Sequence, residues 1–384
     1  MEINIDKTNW KKIKFGDVAI QMKGTVDREN TDLKYYVKGE HMNSEDVHIR
    51  EFGELADEYL GPAFIRHFKE GDILYGSRRT YLKKVAVAHF EGITSNTTFV
   101  INANEKVIDK RLLPFLMLSN KFTEHSIMHS KGSVNPYINW KDLANYEFLL
   151  PPQEQQAELA DLLWAMDEAI EKDLEVMERL ETYKKNYIET FYSDLNEDLS
   201  KKNLKDIADI NKFSLKSDTP DDYEFSYIDL SSIETRKIRD VQRIKFGDSP
   251  SRARRIVKDN SILISTVRPY QLCNVLIEQN NKDYVASTGT AVINVKENIS
   301  SKFIFEQFFT DKYLRFIEDR MTGTNYPAIT AKDLEIYDVY YTNDNQVIES
   351  FEKWTLKSNE AALKLESKLS SSKALQKSLI NQIF

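Results

Sequence analysis

The chain has 384 residues and a single cysteine, Cys273. One thiol excludes an internal disulfide and any cysteine-built zinc cage, and such sparing use suits a reducing compartment. No apolar run approaches the roughly 20 residues that a membrane-spanning helix needs, and Met1 to Trp10 lacks the pattern of a signal peptide. The expectation is a cytoplasmic protein with no membrane partner. Glycine is also scarce, 12 in all, and neither a Gly-x-x-x-x-Gly-Lys phosphate loop nor a glycine-rich dinucleotide fingerprint occurs. Asn135-Pro136-Tyr137 matches part of the tetrapeptide of adenine methyltransferases but lacks its second proline, and no cofactor-binding motif accompanies it. His125 and His129 stand four apart on an expected helix without an evident third metal ligand, so they read as surface or structural histidines. Cys273, in an apolar strand context, reads as simply buried. No catalytic residue and no metal site is assigned.

What is present is material for folded cores: 41% hydrophobic residues, including 19 Tyr and 20 Phe, in a chain long enough for two or three domains. The net charge of -8 argues at first against a polyanionic partner. Its distribution reverses that argument. Residues 151–198 hold fourteen acidic and four basic residues, a net of -10, so the rest of the chain sums to -8 + 10 = +2. Residues 235–258 hold nine basic residues (Arg236, Lys237, Arg239, Arg243, Lys245, Arg252, Arg254, Arg255 and Lys258) against Asp240 and Asp248, a local net of +7. A solvated surface stretch is the plain alternative for such a run.

The chain repeats itself. Gly132-Ser-Val-Asn-Pro-Tyr-Ile-Asn-Trp-Lys-Asp-Leu-Ala-Asn-Tyr146 aligns without gaps on Gly323-Thr-Asn-Tyr-Pro-Ala-Ile-Thr-Ala-Lys-Asp-Leu-Glu-Ile-Tyr337, with seven of fifteen positions identical. Chance would give about one, so a duplicated supersecondary unit is implied. Asp17-Val18-Ala19 matches Asp206-Ile207-Ala208, and Ile73-Leu74 with Arg79 and Tyr81 matches Ile262-Leu263 with Arg268 and Tyr270, at a nearly constant offset. Ser95 and Thr98 match Ser287 and Thr290 after a small indel, which loops tolerate.

After Pro151-Pro152, the residues Leu159, Leu163, Met166, Ile170, Leu174, Met177, Leu180, Tyr187 and Phe191 recur every three or four positions, with no Gly or Pro through Asp198. One long amphipathic helix is predicted there. A second carries Val347, Phe351, Trp354, Ala362, Leu365, Leu369, Leu379 and Ile383. At about 1.5 Å per residue each is a rod of roughly 60 Å, and a single apolar stripe on each suggests that they pair as an antiparallel coiled coil. Val85–Ala88, Thr97–Ile101, Ser261–Ser265 and Thr290–Val295 suit strands, and Arg111–Lys121 and Ser301–Glu318 each look helical. The expected fold class is α+β: two similar mixed α/β domains in a pseudo-twofold arrangement, joined by the two long helices. The boundaries are 1–150 for the first domain, 151–198 for a central helix, 199–340 for the second domain and 341–384 for a last helix.

This layout resembles the specificity subunits of type I restriction-modification enzymes. The carriers are Gly132-x-x-x-Pro136-x-Ile138-x-x-Lys141-Asp142-Leu143 followed by Leu150-Pro-Pro-Gln-Glu-Gln155 and an acidic helix, then Gly323-x-x-x-Pro327-x-Ile329-x-x-Lys332-Asp333-Leu334 and the second helix. Ser251-Arg-Ala-Arg-Arg-Ile-Val-Lys-Asp-Asn-Ser-Ile-Leu-Ile-Ser-Thr-Val-Arg-Pro269 is similar to a phrase that many of these domains use before their central strands. One departure is Tyr340-Tyr-Thr-Asn-Asp-Asn-Gln346 where the first copy has Leu149-Leu-Pro-Pro-Gln-Glu-Gln155, both prolines being absent. The resemblance implies a non-catalytic subunit of phage defence whose two target-recognition domains read double-stranded DNA. It also implies two methylation subunits and two restriction subunits as partners, which would bind S-adenosylmethionine, ATP and Mg; no cofactor is assigned to this chain. Two similar but unequal heads imply a bipartite, asymmetric target.

Candidates for DNA contact combine charge with planar hydrogen-bonding groups, because arginine grips guanine edges while lysine mainly neutralises phosphate. In the first domain they are Arg78, Arg79, Lys83 and Lys84, with Tyr81 among them. The second offers Arg252, Arg254, Arg255, Lys258 and Arg268, with Tyr270 beside the last. The two Gly-x-x-x-Pro loops read as supports for the fold, with DNA contact by Asn135 or Asn325 as the lesser alternative. A competing reading from another class is a structural adaptor, two protein-binding modules on a coiled coil.

Overall fold

The computed structural model describes residues 5–194, 199–280 and 282–384. Two compact units emerge, one of Met1–Glu175 with Glu366–Phe384, the other of Val176–Leu365. Each therefore takes a part of both long helices, Gln153–Asp194 and Asn345–Ile383. The first helix ends at Asp194, and the expected limit at Asp198 lies outside the described residues. At the start of the second, the Asp344 carboxylate accepts from the backbone N–H of Gln346 (2.8 Å) and Val347 (3.4 Å), an N-cap in place of the prolines of the first copy.

The first unit contains β1 (Lys11–Lys14), β2 (Ala19–Met22), β3 (Tyr35–Val37), β4 (Gly53–Glu54), β5 (Phe64–Phe68), β6 (Ile73–Gly76), β7 (Val85–Val87), β8 (Gly92–Ser95), β9 (Thr98–Ala103) and β10 (Glu147–Leu150). They form a β1-β10 ribbon and two four-stranded sheets, ordered β2-β9-β6-β7 and β4-β3-β8-β5. Strand periodicity decides what lies on each side of the first sheet. Ile73 and Tyr75 of β6 face a core shared with Leu159 and Leu163 of the first long helix and Leu379, Ile380 and Ile383 of the second. Leu74, between them, faces the other sheet through Val37 and Phe68. Both faces are covered, so β6 reads as a continuous apolar run.

The second unit repeats the plan. Its strands are β11 (Ser200–Asn203), β12 (Ala208–Ile210), β13 (Glu224–Ile228), β14 (Ile233–Glu234), β15 (Lys237–Ile238), β16 (Gln242–Lys245), β17 (Ala253–Ile256), β18 (Ser261–Ser265), β19 (Asn274–Ile277), β20 (Tyr284–Ser287), β21 (Thr290–Val295) and β22 (Asp338–Tyr341). The sheet orders are β12-β21-β18-β19 and β16-β13-β20-β17, with a β11-β22 ribbon and a small β14-β15 hairpin. Ile262 and Ile264 of β18 face helices and Phe351, whereas Leu263 faces Ile228 and Ala286 of the second sheet. Even the irregularities recur: one parallel pair in each unit (β3 with β8, β13 with β20) and one register shift (Phe64/Arg66 and Ala253/Arg255).

Within each unit the two long helices run antiparallel. In the first, Lys368 Nζ lies 2.6 Å from Asp173 Oδ1, and Gln376 donates to the Leu163 carbonyl at 3.4 Å. In the second, Trp354 stacks on Tyr187 with ring centroids 3.7 Å apart, and Phe351 lies 4.5 Å from Phe191.

Three sequence expectations change. Arg111–Lys121 is not one helix: Leu113–Leu118 ends at Ser119, whose hydroxyl accepts from Phe122 N–H and starts Asn120–Met128. Ser301–Glu318 breaks likewise at Thr310, which accepts from Tyr313 N–H and starts Asp311–Glu318. In both places a capping hydroxyl wins over the continuous apolar pattern. Cys273 is only partly buried and precedes β19 rather than lying within a strand.

Candidate nucleic-acid interface

The strands β6 and β7 are joined by a short 3₁₀ turn, Thr80–Leu82, flanked by Arg79 and Lys83 in the left-handed region at φ of 49° and 46°. In the second unit β18 and β19 are joined by Pro269–Gln271, flanked by Arg268 and Leu272 at 48° and 50°. A residue with a Cβ in that region costs about 1–2 kcal/mol, and such backbone persists only where its surroundings fix it. Here the Gly-x-x-x-Pro element does so. Arg79 N–H donates to the Pro136 carbonyl and Arg268 N–H to the Pro327 carbonyl, both at 2.7 Å. Ile138 N–H reaches back to Ser77 O, and Ile329 N–H to Thr266 O, both at 2.9 Å. The element is itself a tight hairpin closed by paired bonds between Lys131 and Tyr137, and between Thr322 and Ala328, with Gly132 and Gly323 at φ of 89° and 95°.

The repeated motif thus acts as a clamp on an arginine-bearing loop, in line with its expected support role. What the clamp holds is exposed. Arg78 and Arg79 face solvent, Tyr81 is 54% exposed, and Asn135 and Tyr137 lie open beside them. Arg268 lies under Tyr326, its guanidinium carbon 4.9 Å from the ring centroid, with Tyr326 68% and Tyr270 45% exposed. Planar cations and aromatic faces held on an unusual backbone form a surface able to hydrogen-bond base edges and to stack.

The other candidates divide. Lys83 pairs with Glu45 (3.0 Å) and donates to Asn120 Oδ1 (2.7 Å), and Lys84 donates to the Gly39 carbonyl. Arg254 donates to its neighbour's carbonyl at 2.7 Å and packs over Phe246, and Arg255 donates to Ser214 Oγ at 3.2 Å while its Nε is buried without a partner. These four are engaged within the protein. Arg252 and Lys258 are exposed, the latter with its ammonium 3.3 Å from the centre of the Phe213 ring. Much of the +7 stretch is neutralised locally: Arg236 forms a bidentate pair with buried Glu306 at 2.6 Å, Arg243 meets Glu224 at 3.2 Å, and Arg239 pairs with Glu234.

His125 and His129 are satisfied by backbone: the His125 ring donates to Asp142 O at 2.8 Å and the His129 ring to His125 O at 2.9 Å. Among the described residues no group of three or more His, Cys, Asp or Glu could hold a metal ion, and no helix is long and apolar enough to cross a membrane. A groove of about 330 Å³ in the first unit is floored by Phe115, Leu118 and Ile170, and at its rim Arg50 pairs with Asp46 and Glu171, and Lys377 with Glu45. There Arg50 grips Glu171 at 2.5 Å and Asp46 at 2.8 Å, and the His48 ring meets Asp167 at 2.7 Å. Sequence reasoning missed Tyr326 and Tyr137. Their signal was available, since both lie in the aligned repeat at positions where the copies differ.

Residues 7–181 match the type I restriction modification DNA specificity domain. The chain is 30% identical over 173 residues to the type I restriction enzyme EcoDI specificity subunit of Escherichia coli, covering 43% of this chain and 37% of that one. It is 22% identical over 197 residues to the HindI specificity subunit of Haemophilus influenzae, covering 49% and 42%. The matched part thus spans about two fifths of the length of these curated relatives. Its fold is similar to a solved chain of a type I R-M system studied for complex assembly and conformational transition (TM-score 0.56, 17% identity, 97% of both chains). It is also similar to the S subunit of a type I restriction-modification system from M. genitalium (TM-score 0.54, 16% identity, 98% and 96%). Residues 7–181 are thus similar to the DNA specificity domain of type I restriction-modification systems, and the chain shares the fold of these two solved chains along nearly its whole length.

Proposed function

We propose that this chain is the DNA-reading specificity subunit of a type I restriction-modification complex, itself without catalysis, and that each unit reads one half of an asymmetric bipartite site. The observation that supports this most is the clamped arginine loop present in both units with one backbone and different neighbours. A shared frame with unequal side chains suits two half-sites of different sequence. In this reading residues 1–150 and 199–340 are the target-recognition domains, and 151–198 and 341–384 are helical spacers that also dock partners. Two methylation and two restriction subunits complete the complex; they bind S-adenosylmethionine, ATP and Mg and supply the chemistry. Arg79, Arg268, Tyr81 and Tyr270 take base edges and stacks, with Arg78 beside the first loop. Arg252 and Lys258 serve phosphates.

The test is binding by the purified chain to duplex DNA at several salt concentrations. Lys258→Ala should weaken all sequences nearly equally and lower the salt slope by about one unit, whereas Arg268→Ala should relax preference at one position at a cost of about 1–3 kcal/mol. The same preparation should neither methylate nor cleave DNA. Binding that is indifferent to salt and to both substitutions would favour the adaptor reading instead.

A further inference from the structure

The two arginine loops share a backbone, but the residue that meets each arginine differs. Position 135 and position 326 are equivalent: each is the third residue after the hairpin glycine and directly precedes the proline whose carbonyl holds the arginine N–H. At the first, Asn135 Oδ1 accepts from both Nε and Nη2 of Arg79, at 2.9 and 2.7 Å. At the second, the Tyr326 ring lies against the Arg268 guanidinium, and among the described residues no protein acceptor takes that guanidinium's hydrogens.

We propose that Asn135 and Tyr326 are positioning residues that decide which edge of the neighbouring arginine is offered to a base; the inference rests on the reading of these loops as DNA contacts. A guanidinium has two edges able to form paired bonds. Asn135 occupies the Nε–Nη2 edge of Arg79. Only the Nη1–Nη2 end remains for guanine O6 and N7, and it is held in one orientation before DNA arrives. Tyr326 fixes the plane of Arg268 and leaves both of its edges open. Arg79 therefore reads end-on with a narrow geometry, and Arg268 reads by either edge with a broader one. Because the side chains at 135 and 326 are exposed and the hairpin is held by backbone bonds, exchanging them leaves the clamp in place.

The experiment is selection by the full chain from a pool of duplex DNA with a randomised target region, followed by affinity measurement on the selected and unselected duplexes. Arg79→Ala and Arg268→Ala should each relax preference at one base pair, by roughly 5- to 150-fold. Asn135→Ala should relax the base pair that Arg79→Ala relaxes, by about three- to tenfold, as expected for loss of orienting hydrogen bonds. Tyr326→Ala should act likewise on the base pair of Arg268, and Tyr326→Phe, which keeps the ring, should retain the original preference. In Asn135→Ala and Tyr326→Ala affinity should fall more on the selected duplex than on unselected DNA. The assignment is overturned if Asn135→Ala and Tyr326→Ala leave those base pairs untouched, or if they weaken all sequences equally. If Arg79→Ala and Arg268→Ala themselves alter no base preference, the loops are not readers and the functional reading falls with the assignment.

Discussion

At Arg79 and Arg268, charged side chains sit on backbone that residues with a Cβ seldom adopt, and the cost is carried by the hairpin that Gly132 and Gly323 permit. The two glycines make separable demands. Both lie at positive φ, but a Cβ on Gly323 would stand 3.2 Å from the Tyr326 carbonyl oxygen, against 3.7 Å from that of Asn135 for Gly132. Gly323→Ala should therefore destabilise its unit by about 1–2 kcal/mol, and Gly132→Ala by the smaller part of that range. Chemical denaturation measures this, and equal stability of variant and parent would mean that the hairpin relaxes freely. At this scale the sequence was half legible. The offset that pairs Arg79 and Tyr81 with Arg268 and Tyr270 picked out the loops, because duplication preserves the residues that a shared backbone requires. The retention of Lys83, Lys84, Arg254 and Arg255 inside the protein was not legible, since their acceptors at Glu45, Gly39, Ala253 and Ser214 include residues some forty positions away.

Among elements, the long helices were plain from periodicity, while the breaks at Ser119 and Thr310 were hidden by apolar residues that continue on both sides. The helices do more than present an apolar stripe. In the first unit, Asp167 and Glu171 of the helix Gln153–Asp194 receive His48 and Arg50 from the segment after β3, so Glu171 belongs to the fold and not to a free acidic face. A charge reversal meant to probe partner docking belongs at Glu178, which is exposed, rather than at Glu171. The bond to Asp167 raises the His48 pKa above its ordinary 6.5, against the opposing effect of burial. A raised folded pKa means that the folded state binds the proton more tightly than the unfolded chain. The stabilisation is therefore complete below about pH 6.5 and is lost as pH rises through the higher folded value. Melting of the protein between pH 6 and 8 should show a decline with rising pH that His48→Gln flattens. An unchanged slope in the variant would mean that His48 does not set the pH dependence of stability.

For the molecule as a whole, the repeat and two helices were enough to expect two α+β units, and residues of both helices were expected to be apolar. How each unit completes its core was beyond the pattern. Leu379, Ile380 and Ile383 join the first core from the far end of the chain, and Tyr192 and Phe351 join the second. Such closure depends on pairing between residues about two hundred positions apart, which periodicity does not encode. Two units complete in this way, each with its own clamped arginine loop, should act as independent readers. The direct measurement is the methylated motif in a host carrying this chain with residues 199–340 exchanged for those of a relative of different specificity. One half of the split motif should change and the other stay. A change in both halves, or in neither, would contradict independent reading by the two units.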